Sequence, residues 1–482
     1  MSKTLKQKTA HNIVWSFLDK FGQQGIALLV GILLMRYFLS PSDYGLVAMI
    51  LVIIALGNIF IDSGFSNALI RKQDVTQTSL SSVFYFNIAI SVLFYLLVFF
   101  CAPLFALFFE QPILTKLARI MALSIPISAF ALVQVTSLTK ALNFKYIANI
   151  NILALGCSGA LSLFLAWQGL GVWVLVIQPL TFSAMRTLSL WCFNSWRPSA
   201  VFSMESIKSL WSYSSKLLLS SVISVIFDHI HVFFIGKIYP SKDVGYYSQA
   251  KKYSELPNFA LVSAIQAVIY PVMATIRVHG TDALKKTMRK TVRVTSFVLL
   301  PVMLGLIATA EPLVHTIFAT KWLPIVPYMQ ILCVGYLFLG IATPYNNILF
   351  IEGLSSTLLY FNIFYRILIL VSILLTMHQG IAAMLFAWSI VATLYSLFLM
   401  IYAGRKINYT LLEQIKDILP YFVLALVMGA GVFLLSFWIE NYVVLLLSQL
   451  IVGAAFYLGA TYLFGSKVFQ EIIEMVKSKT AR

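Results

Sequence analysis

A chain of 482 residues in which 60% are hydrophobic and only 11% charged, with a mean hydropathy of +0.90, could not stay dispersed in water. It reads as an integral membrane protein, not a soluble enzyme. The formal charge of +17 therefore has to be explained within a membrane, where topology and attraction to anionic headgroups are sufficient and nucleic-acid binding is not needed.

Fourteen candidate spans begin near residues 16, 44, 82, 117, 148, 171, 211, 245, 292, 326, 357, 381, 418 and 442. Runs such as Val47 to Ile61, Ile88 to Leu107, Val292 to Ala310 and Ile418 to Phe437 approach or meet the roughly 20 residues that a helix needs to cross about 30 Å of hydrocarbon. They are apolar all round, whereas the strands of a transmembrane barrel alternate, so each backbone must satisfy itself within a helix. The spans near 16, 211 and 245 carry charges, which makes twelve the alternative count. The basic start of the chain has no small-residue cleavage site after a short apolar core, and reads as a retained first span. No soluble domain fits between the spans.

With the amino terminus placed in the cytoplasm, the inward connections hold 23 of the 34 lysines and arginines, among them Arg71, Lys72, Lys140, Arg197, Arg289, Arg293, Arg405 and Lys479. That is the positive-inside rule followed along the whole chain, and it puts both termini in the cytoplasm. Cys101, Cys157, Cys192 and Cys333 all fall inside apolar spans, so neither a disulfide framework nor a metal cluster is expected.

The chain is internally duplicated. Trp15-Ser16-Phe17-Leu18-Asp19-Lys20 returns as Trp211-Ser212-Tyr213-Ser214-Ser215-Lys216, Ser42-Asp43-Tyr44-Gly45 as Lys242-Asp243-Val244-Gly245, Pro103-Leu104 as Pro312-Leu313, and Gln168-Gly169-Leu170 as Gln379-Gly380-Ile381. Duplication in so apolar a chain is a transporter signature. An even number of spans per copy predicts parallel repeats: a six-helix lobe over residues 1 to 204, a second over 205 to 406, and two further helices with a basic tail over 407 to 482. Asn194 to Lys208 is the natural linker between the first two.

Charges inside spans carry the functional reading. Lys20, Lys216, Asp228, Lys251, Lys252, Glu255 and Arg366 interrupt apolar helices, and each would cost at least about 2.5 to 3.5 kcal/mol at the bilayer centre. They are expected to line a wet interior. Lys216, Ser220, Ser224, Asp228 and His231 share one helical stripe, and the first span repeats the idea with Ser16, Lys20, Gln23 and Gln24. An excess of cations over acids suits an anionic passenger, and phosphate is the obvious anion because Lys and Arg both bind it well. Lys20, Lys216, Arg366, Lys251 and Lys252 are the candidate anion ligands. Asp19, Asp62, Asp228 and Glu255 are the candidates for a group that couples transport to an ion. Plainer roles stand beside these: Lys20 and Lys216 as interfacial residues whose stems snorkel, Lys251 with Glu255 as a structural ion pair, Asp62 in a polar helix terminus. Asp228, His229 and His231 do not make a metal site, because histidines two apart on a helix face different ways. Pro257 is a candidate hinge.

The segments RYFLSPSDYGLVAM (Arg36 to Met49), DSGFSNALIRK (Asp62 to Lys72), IGKIYPSKDVGYYSQAKKYSELP (Ile235 to Pro257) and LPVMLGLIATAEPLVHTIFATKW (Leu300 to Trp322) resemble the polysaccharide-transport branch of the multidrug/oligosaccharidyl-lipid/polysaccharide (MOP) exporter superfamily, nearest the Wzx-like flippases of colanic-acid type. The likeness runs over essentially the whole chain. It departs from the family pattern at Ala319, where many relatives carry glycine. The resemblance implies an all-α polytopic membrane protein with two six-helix lobes and two extra helices, working by alternating access in a bacterial inner membrane. It also implies export of undecaprenyl-diphosphate-linked oligosaccharide to the periplasmic leaflet for surface polysaccharide biosynthesis, no catalytic residues, no bound cofactor, and coupling to a proton or sodium gradient. Polysaccharide polymerase and other assembly proteins are the implied partners. Two other classes remain: a multidrug or cation antiporter of the same superfamily, and a membrane glycan polymerase or ligase, for which the outward loops are short and the duplication unexpected.

Overall fold

The computed structural model describes residues 22–62, 65–71, 75–463 and 469–470, and every regular element among them is helical. In chain order these are α1 (Gly22–Phe38), α2 (Pro41–Asp62), α3 (Phe65–Arg71), α4 (Gln77–Phe108), α5 (Ile113–Met121), α6 (Ser124–Lys140), α7 (Phe144–Trp167), α8 (Trp173–Phe193), α9 (Met204–Asp228), α10 (Ile230–Ile238), α11 (Ser241–Ile276), α12 (Thr281–Leu313), α13 (Ile325–Ile351), α14 (Ser355–Thr376), α15 (Ile381–Lys406), α16 (Leu411–Leu434) and α17 (Tyr442–Leu463). Among the described residues twelve helical segments are long and apolar enough to cross a membrane, α5 with α6 counting as one and the end of α9 with α10 as another. The two remaining expected spans coincide with α1, which is short, and α8, which lies outside the twelve.

The helix boundaries follow local chemistry. Ser40 opens α2 with a reciprocal cap, its N–H and Oγ donating to Asp43 Oδ2 at 2.8 and 2.7 Å, and Pro41 takes the first helical position, where its missing N–H costs nothing. Thr410 and Glu413 form a full capping box at the start of α16. The duplication is visible in the backbone as well as in the letters. Gly169 and Gly380, the repeat-related glycines of the loops before α8 and α15, both turn with positive φ, +79° and +109°.

By packing, the described chain forms two compact units, residues 1–245 and 246–482, which divide early in α11. In the first, Phe65, Leu69, Val83, Phe84, Val133, Ile207 and Leu210 make a dry core under Trp191 and Trp196. The expected linker is stitched to the start of α4. Ser199 N–H donates to Ser81 Oγ, Ser203 N–H to Ser82 Oγ, and Gln77 bonds both the Arg197 carbonyl and the Trp196 indole.

The second unit is organised by a charge cluster between α12 and α16. Asp417, with 3% of its side chain exposed, accepts from Arg289 Nε at 2.7 Å, from Arg293 Nε at 2.8 Å and from the Tyr409 hydroxyl at 2.8 Å. Lys285 pairs with Glu413 at 2.9 Å one turn earlier on α16. Gln414 donates to the carbonyls of Met400 and Tyr409 and accepts from Tyr345, so α13 and α15 are tied in. Burial and the neighbouring carboxylate push the Tyr409 hydroxyl far above the ordinary phenol range, so it serves as a permanent donor.

Removing a buried partner strands the charges that faced it. Asp417→Ala is expected to cost about 3 kcal/mol, the low end for a broken buried pair because both arginines are about a third exposed, and thermal unfolding in detergent would read it. Ala319 closes a π-helical turn after α12 with φ 80° and ψ 164°, a region almost reserved for glycine, and leads into the fully buried Trp322. Ala319→Gly should therefore raise stability by about 1 kcal/mol in the same measurement.

Candidate functional site

Of the sequence-selected residues, the structure bonds Glu255 of α11 to α13 and sets Arg366 of α14 near Tyr395 of α15, both inside the second unit. Lys251 and Glu255 stand one turn apart on α11 and so share a face. The Tyr336 hydroxyl of α13 donates to Glu255 Oε2 at 3.3 Å, and the Tyr336 ring is fixed edge-on to Trp388 of α15 with centroids 5.0 Å apart. Tyr247 and Tyr365 lie within electrostatic range of that hydroxyl. Tyr365 of α14 stacks on Tyr395 of α15 at 4.4 Å, and the Tyr395 hydroxyl donates to Asn362 Oδ1 at 3.2 Å. Arg366 follows Asn362 by one turn at the middle of α14, within electrostatic range of Tyr395. Tyrosines of α13, α14 and α15 thus stand between Glu255 of α11 and Arg366 of α14.

Chemically, such a frame does two things. Phenol hydroxyls satisfy the Glu255 carboxylate and the Asn362 amide without adding charge. Rigid rings restrict the rotamers of the long cationic chains beside them, which lowers the entropy lost on binding. Sequence reading found the charges but missed Tyr336, Tyr365 and Tyr395. Their signal was present as tyrosines set into otherwise apolar spans, where a hydroxyl needs a partner.

The other selected residues sit elsewhere. Lys252 is exposed on a different side of α11, its ammonium 5.6 Å from the centre of the Tyr253 ring. Asp228 is exposed at the last residue of α9, and Ser224 in the same stripe bonds back to the Ser220 carbonyl. The stripe ends there, because the chain breaks at His229 and the buried His231 belongs to α10. Asp62 ends α2 in the first unit, with Oδ1 buried and unpartnered among the described residues. Lys216 is a residue of α9 whose side chain lies outside the description, and Asp19 and Lys20 lie outside the described residues.

The helical layout matches that of known exporters. A lipid II flippase, MurJ, solved in an inward closed conformation superposes with a TM-score of 0.78 at 18% identity, covering 96% of this chain and all of that one. An inward-facing multidrug resistance MATE transporter of the MOP superfamily superposes with a TM-score of 0.63 at 16% identity, over 80% of this chain and 94% of that one. These likenesses define the class by its fold: a multi-pass protein with the MOP exporter fold, its twelve long apolar helices of membrane-spanning length.

A family model described as Polysaccharide biosynthesis protein matches residues 33–327, and the chain belongs to that family. Succinoglycan biosynthesis transport protein ExoT of Rhizobium meliloti (strain 1021) is 27% identical over 358 residues, 74% of this chain and 72% of ExoT. Lipopolysaccharide biosynthesis protein WzxC of Escherichia coli (strain K12) is 24% identical over 444 residues, 91% of this chain and 86% of WzxC.

Tyr336→Phe keeps the packing on Trp388 and removes only the bond to Glu255. Stability should fall by about 1 kcal/mol or less, as thermal unfolding reads it.

Proposed function

We propose that the protein is a flippase that carries undecaprenyl-diphosphate-linked oligosaccharide from the cytoplasmic to the periplasmic leaflet for surface polysaccharide assembly. The observation that carries this reading is Arg366 at the middle of α14, near Tyr395 and one turn from the bonded Asn362, in a membrane-spanning helix of a chain related to polysaccharide transport proteins. A diphosphate presents several strongly accepting oxygens, and a guanidinium matches them with a planar, bidentate fork of donors. The transport names of ExoT and the flippase name of MurJ support the same class of work.

In this mechanism the diphosphate enters from the cytoplasmic side past Lys20 and Lys216 and is held by Arg366. It passes Lys251 and Lys252 as the repeats rock, while the polyprenyl tail stays in lipid. No bond is made or broken, so no catalytic group is required. Coupling to a proton or sodium gradient would run through a carboxylate, and Glu255 is placed to sense the passenger because it shares a helical face with Lys251. Asp62 and Asp228 are the other described candidates. A polysaccharide polymerase would receive the exported unit.

The test is export of surface polysaccharide at matched protein level. Arg366→Ala and Lys216→Ala should each reduce it strongly, with Arg366→Lys retaining part of the activity because charge survives but the bidentate fork does not. Undiminished export in both alanine variants would remove the diphosphate clamp. Export that fails in Glu255→Gln while surviving in Arg366→Ala would favour the cation-antiporter reading instead.

A further inference from the structure

The repeat-related segments Ser42–Gly45 and Lys242–Gly245 meet each other inside the first unit. Each opens a helix, α2 and α11, and the two helix starts cross in backbone contact at the paired glycines. A Cβ on Gly45 would overlap the Ser241 carbonyl, and a Cβ on Gly245 would overlap the Pro41 carbonyl, while each would also stand within about 3 Å of the other glycine's nitrogen, at 3.0 and 3.1 Å. No side chain of any other residue fits either position, so the closeness of this crossing is set by the two glycines themselves.

The contact has a second layer. Gly236, near the end of α10, packs on Phe109 and Met49, and Phe109 faces Phe233 at 6.1 Å. Glu110 follows in the turn after α4 with φ 56°, a left-handed conformation that a non-glycine residue adopts at a cost. That turn presents its carboxylate to Lys237, whose Nζ lies 2.8 Å from Glu110 Oε1 and 5.5 Å from the centre of the Phe108 ring. Every element here belongs to the side that the charge bias assigns to the periplasm: the start of α2, the end of α4, the end of α10 and the start of α11.

We propose that this crossing is the outward gate of the transporter, closed by the fit of Gly45 against Gly245 and latched by the Glu110–Lys237 ion pair, and that export requires both to part. The inference rests on the transport reading above. Its chemistry suits a reversible closure. Backbone-to-backbone fit between glycines seals without interlocking side chains, and the two layers join segments of the first repeat to segments of the second. The ion pair is well exposed, with 77% of the Glu110 side chain and 43% of the Lys237 side chain open to solvent, so it is weak enough to break in each cycle. The Lys237 ammonium holds the Glu110 carboxyl below the usual carboxylate range, which keeps the latch charged at neutral pH.

The experiment uses the full-length protein with Cys101, Cys157, Cys192 and Cys333 replaced by serine, expressed in the native host after deletion of the chromosomal copy, with Glu110→Cys and Lys237→Cys joined by a short reducible bis-methanethiosulfonate. Before cross-linking, surface polysaccharide should be restored; a chain that fails to restore it even with its natural residues would count against the transport reading, not the gate. After cross-linking, export should stop, and it should resume on reduction. Export that continues at the uncross-linked rate in fully cross-linked membranes would overturn the gate. Gly45→Ala and Gly245→Ala should lower the cross-linking yield because the helices can no longer close. If either variant fails to accumulate, the cross-linking result in the glycine background decides the matter alone.

Discussion

A carboxylate can be buried only where other groups meet its charge, and this constraint orders the second unit. Asp417 can be buried because two guanidiniums and a phenol meet it, and those same bonds fix α16 against α12. The capping box one turn away and the amide of Gln414 extend the tie to α13 and α15. Around Glu255 and Asn362 the bonds come from neutral hydroxyls instead, Tyr336 to the carboxylate and Tyr395 to the amide.

The first unit manages the same constraint with less charge. Its core under Trp191 and Trp196 is apolar, and the polar segment 194–203 is absorbed by serines and a glutamine at the start of α4. Its closest approach is steric, two glycines from related parts of the duplicated sequence. Duplication therefore contributes more than a second set of helices. It places the same small residue on both sides of one contact, which neither copy could form alone.

The helices and the repeat were legible in the sequence because their signals are local. Apolar runs of spanning length, Gly169 with Gly380, and the paired motifs at Gly45 and Gly245 all lie within a few residues of the features they specify. Arg366 and Glu255 stand out in the sequence for a related reason, since a charge deep in an apolar run is costly wherever it faces. The side chains that charged residues meet were not legible. Tyr336 lies 81 residues from Glu255, and Asp417 lies 128 from Arg289. A basic residue near a helix end reads the same whether it marks topology or pairs with a buried acid, so Arg289 and Arg293 were counted only as inward charge. At Ala319 the family comparison gave the clue and the backbone gave the cause, a φ of 80°.

The central claim is that a tyrosine-framed cationic cluster recognises a diphosphate on a lipid. Its most direct test is the binding of undecaprenyl diphosphate by the purified protein in detergent, measured by native mass spectrometry against undecaprenyl monophosphate as competitor. The account predicts preferential binding of the diphosphate by the natural chain and loss of that preference in Arg366→Ala with the fold intact. Equal binding of both lipids by the natural chain, or an unchanged preference without the guanidinium, would contradict it.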